Sequence, residues 1–186
     1  MDEDGRNIMT AYLPPRHATI VSCALISLIC CSRTPDGLDT VYTDPQYSFR
    51  IEAPDTGWII TDATGIHNVL LVIKSNTPVN QFFPNLTISI ENLTANITEE
   101  EYGKKNQLLL LSQGFAPISS GSVTLHHTRF FEIFCGYTEA GTTMRFKYLC
   151  LVRNRIGYTI TSIMPAGCSE QMKCDLDTMA RSFRFL

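Results

Sequence analysis

After about residue 46, apolar and polar residues alternate, a pattern typical of strands with one buried face. Residues 47–53 carry an aromatic or aliphatic side chain at every second position, so we predict a half-buried strand there. Residues 54–57 are turn formers, and a second strand is predicted to begin at Trp58. The continuous apolar run 69–73 predicts a strand covered on both faces, and the alternation over 86–91 predicts a fourth strand.

The period then changes to that of a helix. Thr98 and Glu101 have the spacing of a capping box, in which each side chain bonds the other residue's backbone amide. A helix is predicted from there to about Gln113, with Gly114 as its stop, and the four leucines at 108–111 predict a well-buried end. A second helix is predicted to begin after Ser169. The apolar stripe predicted to face the core of that helix is Met172, Leu176, Met179, Ala180 and Phe183.

Between the two helices the pattern is again that of strands, near 118–126, 129–138, 143–152 and 156–164. The clearest hairpin turn is 139–142. In the strand after it, even-numbered apolar residues from 144 to 152 share one face, and Arg145 and Lys147 share the other. The order of strands, helix, antiparallel strands and helix predicts an α+β fold with helices packed on one or both faces of an antiparallel sheet.

An uncharged apolar run, 18–31, precedes the predicted domain. It is short of the roughly 20 residues that span a bilayer as a helix, and its length suits the hydrophobic region of a signal peptide. Arg16 and His17 precede it as a positive flank, whereas residues 2–4 are acidic. Translation from Met9 would give a signal peptide without the acidic residues 2–4. Both Met1 and Met9 are therefore kept as candidate start codons.

Cys31 is the predicted lipidation site. Residues 28–31 are similar to the box of small residues and a cysteine at which bacterial lipoproteins are lipidated, with Cys30 where a small residue is usual. Residues 20–23, which end in Cys23, match the usual box more closely than residues 28–31 do, but apolar residues continue after Cys23. The alternatives are a plainly cleaved signal and an uncleaved anchor. We divide the chain into an N-terminal segment (1–31), a polar tether (32–45) and one domain (46–186).

The interpretation of the four cysteines of the predicted domain depends on the compartment, because disulfides persist outside the cytosol. Cys168 and Cys174 flank the start of the last helix, and we predict a disulfide between them. Cys135 and Cys150 lie on the two strands of one hairpin. With the turn at 139–142, Cys135 should lie opposite about residue 146, too far from Cys150 for a bond. Core thiols are therefore predicted for this pair, and the alternative is a cross-link from one of them to Cys168 or Cys174.

The net charge and the sequence motifs argue against several classes of function. The net charge is −3 with no basic stripe, which argues against nucleic acid as a partner. No P-loop, dinucleotide loop, nucleophile elbow or zincin motif is present, so we predict no catalytic residue and no cofactor. His126 and His127 would point to opposite faces of a strand, so no metal site is predicted there. The N-x-T sequons would be glycan sites in a eukaryotic host, but behind a bacterial-type lipoprotein signal they are interpreted as strand and cap residues: Asn85, Asn92 and Asn96.

Several segments occur in an order that is similar to one family: YSFRIEAP at 47–54, Gly57-Trp58, NLTISIENL at 85–93, ITEEEY at 97–102 and MARSFRFL at 179–186. In this order and spacing the chain resembles the PsbP/Mog1/DcrB-like superfamily. The resemblance implies an α/β/α sandwich with a central antiparallel sheet of about six to seven strands and two main helices. Members include photosystem accessory proteins, a Ran-binding protein and bacterial periplasmic lipoproteins, which act by binding. The matching positions are Tyr47, Phe49, Pro54, Gly57, Trp58, Glu101, Tyr102, Ser182, Phe183 and Arg184.

The sequence and the resemblance together predict an exported, membrane-tethered accessory or binding protein of the cell envelope, without enzymatic activity. Its expected contacts are a protein partner in the envelope and the membrane, through the lipid anchor. The alternative is a carrier of a small molecule or metal in a pocket between sheet and helix. A deep apolar cavity would favour the carrier, and an exposed apolar patch would favour the protein-binding module.

Overall fold

The computed structural model describes residues 40–54, 57–63, 65–139 and 141–186. The predicted signal segment, Cys31 and residues 32–39 of the tether lie outside them. Two helices occur in the described part, α1 (Glu99–Ser112) and α2 (Glu170–Ser182). The strands there are β1 (Val41–Asp44), β2 (Phe49–Glu52), β3 (Trp58–Asp62), β4 (Val69–Ser75), β5 (Asn85–Asn92), β6 (Ala116–Leu125), β7 (Thr128–Glu139), β8 (Thr142–Arg153), β9 (Ile156–Pro165) and β10 (Arg184–Phe185).

Seven strands form one antiparallel sheet in the order β3-β4-β5-β9-β8-β7-β6. The sheet consists of two meanders, β3–β5 and β6–β9, with α1 between them in the chain. The meanders join where β5 pairs with β9, so the last of these seven strands in chain order lies at the centre of the sheet. The predicted α+β fold is confirmed.

The two helices cover opposite faces of this sheet. Two adjacent residues of β7 show this, since neighbouring residues of a strand point to opposite faces. On β7, Phe130 meets Phe183 at the end of α2, with ring centroids 6.4 Å apart. The next residue, Phe131, lies against Gly103 of α1. Two hydrophobic cores result, one under each helix. The α/β/α arrangement that the resemblance implies is therefore present.

A small sheet of three strands, in the order β1-β2-β10, lies on the α2 face. Phe49 of β2 is fully buried, and its ring centroid is 5.3 Å from that of Phe183. Two predicted boundaries are corrected here. Residues 41–44, which the sequence placed in the tether, form β1, and the strand predicted from residue 47 begins at Phe49 because 45–48 are a turn. Only one of the four residues of β1 is buried, and that residue is Asp44, so the pattern of β1 resembles that of a polar linker.

α1 begins as predicted and lies unusually close to the sheet. Thr98 Oγ1 accepts from the Glu101 amide at 3.1 Å, and Glu101 Oε2 accepts from the Thr98 amide at 2.7 Å, which completes the capping box. A methyl group on Gly103 would lie 2.6 Å from Cβ of Phe131, and one on Gly157 of β9 would lie 2.5 Å from Cζ of Tyr102. The two glycines therefore set the distance between helix and sheet.

The predicted burial at the end of α1 is wrong for two of its four leucines. Leu110 is 2% exposed, but Leu111 is 45% exposed and Leu108 is 67% exposed. A helix on one sheet face turns only one stripe toward the core, so four consecutive leucines cannot all be covered.

Candidate functional site

A groove of about 450 Å³ lies on the α2 face of the sheet, beside the helix. α2 packs against β2, β5 and β9 and leaves the outer strands partly uncovered. The groove follows this uncovered surface. The residues that line it are Ile118, Phe134, Cys135, Arg145, Phe146, Lys147, Ser162, Met164, Lys173, Leu176 and Asp177. It is a feature of tertiary packing, since four strands and one helix contribute to it.

Lys147 is the centre of an ion-pair network in one wall of the groove. Its side chain is only 11% exposed, and its Nζ lies 2.6 Å from Asp177 Oδ1 and 3.0 Å from Glu132 Oε1. The same Nζ lies 5.4 Å from the ring centroid of Phe134. Arg181, one turn further along α2, pairs with the other oxygen of Asp177. The network ties α2 to β7 and β8.

The Asp177 carboxylate of this network is ionised at neutral pH. Burial acts to raise the pKa of Asp177, but hydrogen bonds from Lys147 and Arg181 outweigh it and hold that pKa below its ordinary value. A carboxylate in this state is a poor general acid. Asp177 therefore serves as a structural anion that holds Lys147.

Arg145 differs from the other cations of the groove. Lys173 pairs with Glu170, and Lys147 has two carboxylates. Arg145 is exposed and forms no ion pair with any residue in the described part of the chain. Of the three cations that line the groove, Lys147 and Lys173 are therefore neutralised by neighbouring carboxylates, and Arg145 is left as the cation without an ion pair in the described part.

The groove opens toward β6, the edge strand of the sheet. The first seven residues of β6 are exposed, and none of its ten residues is charged. Its pairing with β7 is irregular between Pro117 and Ser119, and Ile118, at this bulge, belongs to both the edge and the groove lining. The other edge strand of the large sheet, β3, has only five residues.

Comparisons with known proteins identify the fold. No protein-family model matches the chain, and the search of curated proteins finds no match. Among solved structures, the cyanobacterial PsbP protein (CyanoP) from Synechocystis sp. PCC 6803 superimposes with a TM-score of 0.60 at 16% identity, covering 83% of this chain and 98% of CyanoP. The chain has a PsbP-like fold. The superfamily resemblance is thus confirmed at the level of the fold.

Two other solved structures share this PsbP-like architecture. A protein from Bacteroides thetaiotaomicron VPI-5482 gives a TM-score of 0.56 at 12% identity, covering 79% of this chain and 48% of that one. A protein of unknown function from Pseudomonas aeruginosa gives a TM-score of 0.54 at 12% identity, covering 77% of this chain and 94% of that one. At such identities the likeness is one of fold.

The cysteines of the PsbP-like domain are thiols in this structure. Cys135 lies opposite Phe146, the register predicted for the hairpin, and burial raises the pKa of Cys135 to about 12. Burial likewise raises the pKa of Cys150 to about 12. Cys168 is buried and Cys174 is exposed, and both are free thiols here. The disulfide between Cys168 and Cys174 stays a prediction.

The adjacent histidines lie in a turn of the PsbP-like domain rather than on a strand. His126 and His127 connect β6 to β7 and have φ values of 47° and 65°, which suit a two-residue hairpin turn. Both are exposed. Among the described residues, no group of three or more His, Cys, Asp or Glu side chains could hold a metal ion. None of the helices described is long and apolar enough to cross a membrane.

Sequence reasoning placed Arg145 and Lys147 on one face of a strand but did not identify the groove. The sequon residues Asn85 and Asn92 are the first and last residues of β5, and Asn96 is exposed before α1. One signal for the groove was available in the sequence. Lys147 lies two positions before the apolar Leu149 on the face that meets the core, where a cation needs a carboxylate from another element.

Proposed function

We propose that the chain is a non-enzymatic accessory protein that binds a protein partner through the groove and the adjoining edge strand β6. The observation that carries this proposal is the open groove itself. Its apolar lining includes Phe134, Met164 and Leu176, and its mouth meets an uncharged strand edge at Ile118. An apolar surface with charged groups at its rim is typical of a protein-binding site.

The chemistry of the groove supports binding rather than catalysis. Cys135 is among the lining residues, but its side chain packs in the hydrophobic core under α1, and burial raises the pKa of its thiol to about 12, so the thiol is protonated and a weak nucleophile at neutral pH. Asp177 is held as an anion by two cations. These groups have the states of a structural network, whereas a catalytic acid or nucleophile needs a pKa near the working pH. The accessory role implied by the superfamily resemblance agrees with this reading.

The proposal includes export and a lipid on Cys31, which would hold the domain near a membrane surface. β1 begins at Val41, ten positions after Cys31. At roughly 3.5 Å per residue, a fully extended link of that length reaches no more than about 35 Å. The test is the intact mass of the protein from its native membrane fraction. A mass that starts at Cys31 and carries added lipid supports the anchor, and an unprocessed chain without lipid contradicts it.

Site-specific photo-crosslinking tests the binding surface in cells. A photoreactive phenylalanine analogue is placed at Ile118, in the groove, or at Leu108, on α1 across the sheet. The two positions form a matched pair, since Ile118 is 68% exposed and Leu108 is 67% exposed. We expect a discrete protein adduct from position 118, weakened by Arg145→Glu, and none from position 108. Equal labelling at both positions, or no adduct at 118, contradicts the proposal.

The second candidate function is a small-molecule carrier. A volume of about 450 Å³ lies within the roughly 300–1,000 Å³ typical of small-molecule pockets. Native mass spectrometry of the protein from its own source separates the two functions. A stoichiometric non-covalent ligand that is lost in a groove-filling Ser162→Phe variant would favour the carrier. Ligand-free protein that still crosslinks at position 118 would favour the accessory role.

A further inference from the structure

We infer that β6 is a docking edge, to which an extended segment of the protein partner adds as an eighth strand of the large sheet. The segment carries an apolar side chain that enters the groove beside Ile118 and an acidic side chain about two positions away that faces Arg145. This inference rests on the proposed function and specifies the kind of partner. It follows from three features of the described residues: the edge, the groove mouth and the unpaired cation.

The edge offers backbone groups without the usual protection. A sheet edge presents unpaired N–H and C=O groups, and soluble proteins block such edges with charges, prolines, bulges or short strands. β6 is ten residues long and carries no charge, and its proline and bulge lie at one end, at residues 117–119. From Ser119 to Leu125 the pairing with β7 is regular. This part of the edge can pair with the main chain of an added strand, which would continue past the bulge to reach the groove mouth at Ile118.

The groove mouth supplies a pocket for one side chain of the added strand. Ile118 and Phe134 both line the groove: Phe134 lies opposite Ser119, and Ile118 is the preceding residue, at the bulge. On an added strand, every second side chain points to this face. An apolar side chain next to Ile118 would therefore lie over the groove, where it would contact Phe134.

Arg145 sets the charge of the segment. Gly136 is the residue opposite Arg145 on β7, and Ala116 is opposite Gly136 on β6. The surface between Arg145 and the edge therefore carries only a hydrogen and a methyl group, and even a methyl group on Gly136 would meet only the Met144 backbone oxygen, at 3.7 Å. A long cationic side chain can extend across it. An acidic side chain at the edge is the complement, because Arg145 is exposed and has no ion pair in the described part, whereas Lys147 and Lys173 already have carboxylate partners.

A second copy of this chain fits these features less well. Pairing β6 with β6 of a copy would satisfy the backbone edge, since neither strand carries a charge to repel the other. However, β6 has no carboxylate to offer to Arg145 and no side chain larger than a leucine or isoleucine to fill the groove. An acidic and apolar segment of another protein satisfies all three features together.

In the test, the full chain is kept in mild detergent and used as the target to select binding peptides from a library of random linear peptides. We expect enriched peptides with an acidic and an apolar residue about two positions apart. Their affinity, measured by fluorescence anisotropy, should fall about tenfold or more with Arg145→Glu, equal to about 1.4 kcal/mol. It should recover largely with Arg145→Lys. Lys104→Glu, a charge reversal at an exposed position on α1 across the sheet, should change the affinity less than about twofold.

Hydrogen exchange locates the bound peptide. We expect protection of β6 amides on binding, and loss of binding when alternate peptide amides are N-methylated. The inference is overturned if no linear peptide is enriched, if bound peptides leave β6 amides unprotected, or if the free protein is a dimer that already protects them. Crosslinking from position 118 in cells with no enriched peptide would mean that the partner uses a folded surface. The proposed function would then stand without strand addition.

Discussion

Replacing Gly103 by alanine should destabilise the protein, although alanine is the better helix former. The added Cβ would lie 2.6 Å from Cβ of Phe131 and closer still to its ring. Because one of the contacted atoms is itself a Cβ, rotation of the Phe131 side chain cannot remove the overlap. Either α1 must move away from the sheet or β7 must bend.

The expected change in the free energy of unfolding is the balance of two opposing effects. Overpacking in a core is destabilising by about 1–3 kcal/mol, and an overlap that no rotamer relieves belongs at the upper end. Alanine in a helix interior gains about 1 kcal/mol over glycine. We therefore expect a net loss of about 2 kcal/mol in the free energy of unfolding, or roughly 4–8 °C in Tm for a chain of this size.

Urea denaturation followed by far-UV circular dichroism measures this loss. The matched control is Gly167→Ala, because a methyl group there meets nothing within 4 Å and its backbone is not in the left-handed region. We expect the control to unfold within about 0.5 kcal/mol of the wild type. If Gly103→Ala is as stable as the control or more so, α1 does not lie as close to β7 as described, and the argument about helix distance is wrong.

Three further predictions concern a carboxylate, a cap and two thiols. The pKa of Asp177 is below its ordinary value of 3.8 in the folded state, so its stabilising effect is present at neutral pH and lost on acidification. Asp177→Asn should be less stable than the wild type at pH 7, with the difference narrowing below pH 3.8; a constant difference in urea melts would contradict this. Thr98→Ala should lower the free energy of unfolding by about 1 kcal/mol. Thr98→Ser should keep most of the stabilisation that the cap provides. After reduction at pH 8, iodoacetamide should modify exposed Cys174 quickly and buried Cys150 only on unfolding; peptide mapping that finds Cys150 modified first would contradict its burial.

Local signals in the sequence predicted much of the fold. The capping pair Thr98 and Glu101 fixed the start of α1, and the turn at 139–142 fixed the hairpin register that places Cys135 opposite Phe146. These signals work because a cap or a tight turn involves residues close in sequence. β1 and β10 were missed because they have four and two residues and their pairing depends on distant partners.

The groove could not be predicted by the same means. Its position depends on where α2 crosses the sheet, and therefore on which strands remain uncovered. Lys147 contacts Glu132 from β7 and Asp177 from α2, two residues that share no sequence pattern with it. The exposure of Leu108 was missed for a related reason, since a run of leucines does not show which side of the helix faces the sheet.

The central pairing of β5 with β9 has a consequence for the kinetics of folding. Ser89 and Thr159 meet across this pair although they are 70 positions apart. Loop closure over such a distance slows folding relative to that of proteins rich in local contacts. The β3–β5 meander is complete early in the chain, but β5 keeps an open edge until β9 has been synthesised. During that interval the half-made sheet is open to misassociation, so chaperone dependence should be greatest for chains that end before residue 156.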